Sequence, residues 1–248
     1  MKKIEEGVVT LSASDGVQLS ADIWNMTAVP TLLLLTAGAA ERSVWRPVLG
    51  HLPNGLKSIW RVVAVDHRGH GESGRSETYR FAQFVADLQA WISALHASPL
   101  VIAGGSIGGA LGMISAGEKS NVDGLVLLDV PTVPTLPQVL RERGRIAKAH
   151  GTDHPALRSV DPRFIASGFI EDVFSDIGRW ENAARRIKNP TLLVVGHRSA
   201  VTAAHVQQYL EHIPHGELAA LDTGHLVARG DPAGVAKLLT AFMTRHFS

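Results

Sequence analysis

Gly104-Gly105-Ser106-Ile107-Gly108 sets a serine among glycines, directly after the apolar run Leu100-Val101-Ile102-Ala103 and before a helix-like segment. A sharp strand-to-helix turn holds such a serine in a strained backbone conformation where bulky neighbours clash, so glycines on both sides suit a turn that presents a nucleophile. The hydroxyl would then stand at a helix N-terminus, where the dipole and the amide of Ile107 favour negative charge developing on a bound molecule. The same glycines also suit a turn that only lets strand and helix pack closely, and a lone G-x-S-x-G does not separate the two readings.

An elbow of this kind needs a strand before it and a sheet around it. Apolar runs rich in Val, Ile and Leu recur at Thr31 to Leu35, Val62 to Val65, Leu100 to Ala103, Gly124 to Leu128, Thr191 to Val195 and Leu218 to Leu221. Longer amphipathic segments separate them, which predicts an α/β fold: a mainly parallel sheet with helices on both faces. Val8 to Leu11 and Leu19 to Ile23 flank the turn signal Ser14-Asp15-Gly16 and predict an antiparallel hairpin at the N-terminal edge of that sheet. Phe84, Leu88, Trp91, Ile92 and Leu95 share one helical face, as residues of a helix lying on the sheet do, and are core rather than cofactor contacts.

The strand-helix rhythm stops between Pro131 and Asn189. Residues 1–130 and 190–248 therefore read as the core and 131–189 as a small helical cap inserted into it. Phe164, Ile165, Phe169, Ile170, Val173 and Phe174 recur at roughly helical spacing, predicting a helix packed onto the C-terminal edge of the sheet as a lid, or serving as ordinary core. Arg141, Arg143, Arg145 and Lys148 read as a solvated helix face.

In an open parallel sheet the chemistry gathers beyond the carboxyl ends of the strands. The polar residues there are the loop Thr36-Ala37-Gly38-Ala39-Ala40, the string Asp66-His67-Arg68-Gly69-His70-Gly71-Glu72-Ser73, then Ser106, Asp129 and finally Asp222-Thr223-Gly224-His225. In that order they resemble the α/β-hydrolase superfamily over nearly the whole chain. The Asp66 to Ser73 string is close to a fingerprint of that superfamily, where it is structural, its Asp and Arg anchoring the loop beside the nucleophile. Its histidines are not read as metal ligands, since no second ligand cluster accompanies them. The resemblance implies a Ser-His-acid hydrolase with a cap after the sixth strand.

A serine hydroxyl is a poor nucleophile until an imidazole takes its proton, and a carboxylate orients that imidazole. Of the twelve histidines, His225 is the candidate base: it follows the last apolar run after a flexible glycine, in the chain order of the superfamily. The amides of Gly38 and Ile107 are the candidate oxyanion donors. The acid departs from the common pattern. Most relatives carry an aspartate in the loop that here reads Gly196-His197-Arg198-Ser199-Ala200-Val201, and Ala200 occupies its place. Asp129, in Leu127-Leu128-Asp129-Val130-Pro131-Thr132, is the alternative acid unless it only caps the following turn. One subgroup of haloalkane dehalogenases and the fungal zearalenone lactone hydrolases place their acid after that strand, the latter with a similar Pro-Thr step. Asp222 lies too near His225 along one loop to be preferred. Two further departures, Thr36-Ala37 for the usual His-Gly and Gly105 for the usual histidine, shrink side chains beside the elbow and would widen the pocket.

With 248 residues, 45% of them hydrophobic, the chain can bury one well-formed core. Twenty-four basic and 23 acidic residues leave a net charge of +1, which gives no electrostatic reason to expect nucleic acid or an anionic membrane as partner. The lack of cysteine excludes disulfides, thiolate catalysis and cysteine-held metals. Met1-Lys2-Lys3-Ile4-Glu5-Glu6 turns acidic where a secretory signal turns apolar, so the expected setting is cytoplasmic. The expectation is a serine hydrolase without cofactor or metal, acting on an ester or lactone of a small, fairly apolar molecule. Carbon–carbon bond hydrolysis on the same residues is the alternative within the superfamily. A binding protein that has lost the chemistry is the alternative outside it, with Ala200 in its favour.

Overall fold

The computed structural model describes residues 6–118, 121–130, 159–175 and 177–247. Eight strands form one sheet: β1 (Glu6–Ser12), β2 (Gln18–Trp24), β3 (Thr31–Leu35), β4 (Arg61–Val65), β5 (Leu100–Gly105), β6 (Gly124–Leu128), β7 (Thr191–Gly196) and β8 (Gly216–Leu221), in the order β1-β2-β4-β3-β5-β6-β7-β8. The β1–β2 and β2–β4 pairs are antiparallel and the rest parallel. The hairpin turn closes with Ala13 N–H donating to Val17 C=O at 2.8 Å, and Gly16 supplies the positive φ of +85° that it needs.

Period-two alternation splits the core. Leu33 and Leu35 of β3 pack with α3 (Phe81–Leu95) and α4 (Ile107–Glu118), while Leu32 and Leu34 pack with α1 (Arg46–His51) and the long C-terminal helix Pro232–Phe247. A short α2 (Asn54–Ile59) precedes β4. Phe84, Leu88, Trp91 and Leu95 of α3 are buried as their spacing predicts, with Ile92 at the margin. Among the described residues, no helix is long and apolar enough to cross a membrane.

The structure differs from the single helix expected over residues 164–174. Two helices occupy this stretch, α5 (Pro162–Ala166) and α6 (Phe169–Ser175), because Gly168 between them takes φ +66° and breaks the run. Phe164, Phe169 and Val173 are fully buried in the main core, and the Phe84 and Phe169 rings lie 4.5 Å apart, so these residues behave as core. The basic cluster Arg141 to Lys148 lies outside the described residues. α7 (Ile177–Arg186) then leads back to β7 and packs on α4. The remaining helices are α8 (Ala203–Leu210), α9 (Val227–Gly230) and α10 (Pro232–Phe247).

The string after β4 is built from buried charge. Arg68 donates twice to Asp87 of α3, at 2.7 and 2.6 Å, and twice to Asp15, at 2.7 and 3.4 Å. Arg42 joins Asp22, Asp66 and Glu72. Buried arginines are tolerated only when paired in this way. On this frame two histidines brace the Thr36–Ala40 loop from below. His67 Nε2–H donates to the Thr36 carbonyl at 3.0 Å, and His70 Nε2 accepts from the Ala39 amide at 3.2 Å. His70 Nδ1–H donates to the Arg68 carbonyl at 2.9 Å, so both of its nitrogens are engaged and its tautomer is set.

Burial depresses the pKa of both rings; His70, with the neighbouring His67 adding to the effect, falls from 6.5 to about 3. Between those two values the unfolded chain binds a proton at residue 70 that the folded chain does not. Stability is therefore complete above the unfolded value and declines as the pH falls towards 3, by up to about 1.4 kcal/mol per pH unit. Urea titrations from pH 6.5 down to 4.5 should show a steeper loss in wild type than in His70→Asn, whose amide oxygen can still accept from Ala39. Parallel slopes would mean that this ring does not carry the effect.

Candidate active site

β5 and β6 run in register, with Gly105 opposite Leu128, so Ser106 and Asp129 leave their strands at the same level. Both take a left-handed backbone, φ +49° at Ser106 and +51° at Asp129, which costs about 1–2 kcal/mol for a non-glycine residue. Each is held there by a hydrogen bond to the next strand, Ser106 N–H to Leu128 C=O at 2.8 Å and Asp129 N–H to Val194 C=O at 2.7 Å.

Glycines make room for the elbow unevenly. A Cβ on Gly104 would overlap the Gly108 backbone, and one on Gly108 would overlap the Thr36 carbonyl and Leu35. Gly105 is under no such constraint: a Cβ there would meet nothing nearer than the Ala37 amide at 3.8 Å. The need for glycine thus falls at the second residue on either side of Ser106. The position immediately before the serine would accept a Cβ at ordinary contact distance from Ala37.

Asp129 is wholly excluded from solvent. Its Oδ1 accepts from the Gly196 amide at 2.8 Å, and its Oδ2 accepts from His225 Nδ1 at 2.7 Å and from the Ser199 hydroxyl. His225 Nε2 lies 2.9 Å from Ser106 Oγ. An ionised carboxylate can only accept, so the imidazole proton belongs on Nδ1, and the Nε2 lone pair faces the serine hydroxyl. Ser106, His225 and Asp129 are thus brought together in one line of hydrogen bonds. Asp222 is directed elsewhere, pairing with Arg198 at the surface, and Ala200 is exposed.

His225 reaches this line because its loop is tied to that of β7. His197 N–H donates to Leu221 C=O and Arg198 N–H to Thr223 C=O, each at 2.9 Å, and Thr223 is fully buried. Gly38 lies against the elbow, where a Cβ would come 3.6 Å from Ile107 Cγ1 and 4.0 Å from Phe164 Cζ. Ala39 beside it has φ +62° and is held by His70. A cavity of about 370 Å³ opens next to His225 and is walled by Ala37, Ala39, Trp45, Gly105, Leu128 and Val227. The groups that sequence reasoning passed over are the braces His67 and His70, and Gly196 and Ser199 on Asp129. A hydroxyl next to the vacant acid position was the available signal for Ser199.

The family model described as alpha/beta hydrolase fold matches residues 30–157, more than half of the chain. The chain is 24% identical to 3-oxoadipate enol-lactonase 2 of Acinetobacter baylyi, a match over 265 residues that covers 95% of this chain and 96% of that protein. A carboxylesterase structure from the ammonia-oxidizing thaumarchaeon Nitrososphaera gargenis superposes with a TM-score of 0.79 at 19% identity, covering 96% of this chain and 98% of that one. The Pyrococcus furiosus esterase Pf2001 gives 0.75 at 21% identity, covering 99% and 92%. With its sheet order, its Ser106 elbow and this match, the chain belongs to the α/β-hydrolase family.

Proposed function

We propose that the protein is a serine hydrolase, needing no cofactor, that cleaves an ester or lactone of a small, fairly apolar molecule through an acyl-enzyme. The observation that carries this reading is the continuous contact from Ser106 Oγ to His225 Nε2, 2.9 Å, and from His225 Nδ1 to Asp129 Oδ2, 2.7 Å. Ser106 Oγ attacks the carbonyl carbon while its proton passes to His225 Nε2. Asp129 orients the ring and offsets the imidazolium charge. The carbonyl oxygen takes up the negative charge and is met by the amides of Ile107 and Gly38, with the α4 N-terminus behind the former. Collapse of the tetrahedral adduct breaks the bond to the leaving oxygen, which receives the proton from Nε2. Water, deprotonated by the same nitrogen, then attacks the acyl carbon, and collapse of that adduct breaks the bond to Ser106 Oγ, which takes the proton back from Nε2 as the acid is released.

The lack of a carboxylate at Ala200, the feature in favour of a binding protein, weighs less with Asp129 in contact with the imidazole. Relatives named as an enol-lactonase and as esterases support acyl-oxygen chemistry over carbon–carbon cleavage. The cavity volume of about 370 Å³ lies within the usual range for small-molecule sites, and its largely apolar wall suits an apolar group. The small side chains noted in the sequence, Thr36, Ala37 and Gly105, all line it.

A fluorophosphonate probe should label the wild type and not Ser106→Ala; absence of labelling in folded wild-type protein would sink the enzymatic reading. Asp129→Asn should lower kcat by about ten-thousandfold, following the serine-protease precedent, and a near-wild-type rate would move the acid to another carboxylate. In a chain-length series of acyl esters, Ala37→Leu should shift the preference towards short chains relative to wild type. A wild type confined to the shortest esters would refute the wide pocket.

A further inference from the structure

We infer that Ser199 is a positioning residue: from the loop after β7, its hydroxyl holds the Asp129 carboxylate in the plane that His225 requires, so that Asp129 can perform the task that an acid at position 200 would. The inference rests on the proposed roles of Ser106, His225 and Asp129.

Asp129 Oδ2 receives two donors, His225 Nδ1 and Ser199 Oγ, whereas Oδ1 receives the Gly196 amide. The direction of the serine bond is fixed by its surroundings. Val201 N–H donates to Ser199 Oγ at 3.1 Å, and the carboxylate can only accept, so the hydroxyl proton points to Oδ2. One pin on each oxygen is what stops a carboxylate from turning about its terminal torsion, which is otherwise broad. With Ser199 removed, Oδ1 stays on Gly196 while Oδ2 is left with the imidazole alone, and that ring is itself over one-third exposed. Rotation of the carboxylate would carry Nδ1 with it and draw Nε2 off Ser106 Oγ. Ala200 is exposed and offers no group in compensation.

Ser199 also has a local use. Its amide donates to the Gly196 carbonyl at 2.9 Å and its hydroxyl accepts from Val201, as in an ordinary turn. A purely local role predicts a change in stability and none in the reaction, so the two roles separate by measurement.

The experiment compares wild type, Ser199→Ala, Ser199→Gly and Ser199→Thr on an ester that the wild type turns over. The two variants without a hydroxyl should lose about tenfold to a hundredfold in kcat, the range spanned by one hydrogen bond to a charged group. KM should stay within about twofold, since the residue acts on the base and not on the substrate. Ser199→Thr should recover most of the rate. The low-field proton resonance of the His225 Nδ1–H should shift or broaden in Ser199→Ala and return in Ser199→Thr. A kcat within about twofold of wild type in both Ser199→Ala and Ser199→Gly, with that resonance unmoved, would overturn the inference. Because the resonance requires no turnover, it decides the Ser199 contact even if the wild type hydrolyses no ester and resists the fluorophosphonate; that result would defeat the proposed function separately.

Discussion

A carboxylate with no solvent exposure must be met by donors, and Asp129 sits where three segments of the chain converge on that condition. An unpaired buried charge costs several kcal/mol, while each hydrogen bond to it returns about 1.5–3. Three segments supply the donors: the end of β7 through Gly196, the loop after it through Ser199, and the loop after β8 through His225. The strand ends on this side of the sheet are thereby tied to one oxygen pair. Order at His225 is a by-product of satisfying a charge that could not otherwise be buried.

The other half of the site is set by a different chain of support. Gly38 rests on the elbow, and its loop is braced by His67 and His70. Those histidines belong to a string anchored by Arg68 on Asp87 and by Asp66 with Arg42. The segment entering α5 closes over the same string: Gly71 N–H donates to Ser159 C=O and Asp161 N–H to Gly69 C=O, each at 2.8 Å, and Tyr79 Oη–H donates to Asp161 at 2.7 Å. Phe164 then lands with its ring 4.5 Å from that of His70. A change in α5 would thus be felt at the Gly38 loop through neutral, packed histidines and not through a charge.

Much of this was legible in the residues. The five inner runs are strands because a largely apolar stretch of four or five residues is stable only when covered on both faces, and Leu32 to Leu35 show this by packing alternately to the two sides, whereas Leu218 to Leu221 forms the partly exposed edge. The elbow was legible from Gly104 and Gly108, whose missing side chains have a steric cause. Asp129 stood out by its place at a strand end together with the empty position at Ala200. The break at Gly168 was obscured because the aromatic spacing of residues 164–174 continues across it, and spacing does not register a reversed φ. The bracing by His67 and His70 was not legible at all. Whether a histidine binds metal, titrates or props a carbonyl depends on what faces its two nitrogens, and the partners in the Thr36–Ala40 loop lie 31 residues away in the chain.

The hydrogen bond between Ser106 and His225 joins residues 119 positions apart, and that between His225 and Asp129 joins residues 96 apart. During synthesis from the N-terminus, the serine, its glycines and the sheet edge that displays it are all made well before the imidazole exists. A nascent chain therefore carries an alcohol no more reactive than any other on its surface. The line from hydroxyl to carboxylate can close only once β8 and the loop after it have been made. Whatever that contact confers is confined to a chain whose last strand is already in place.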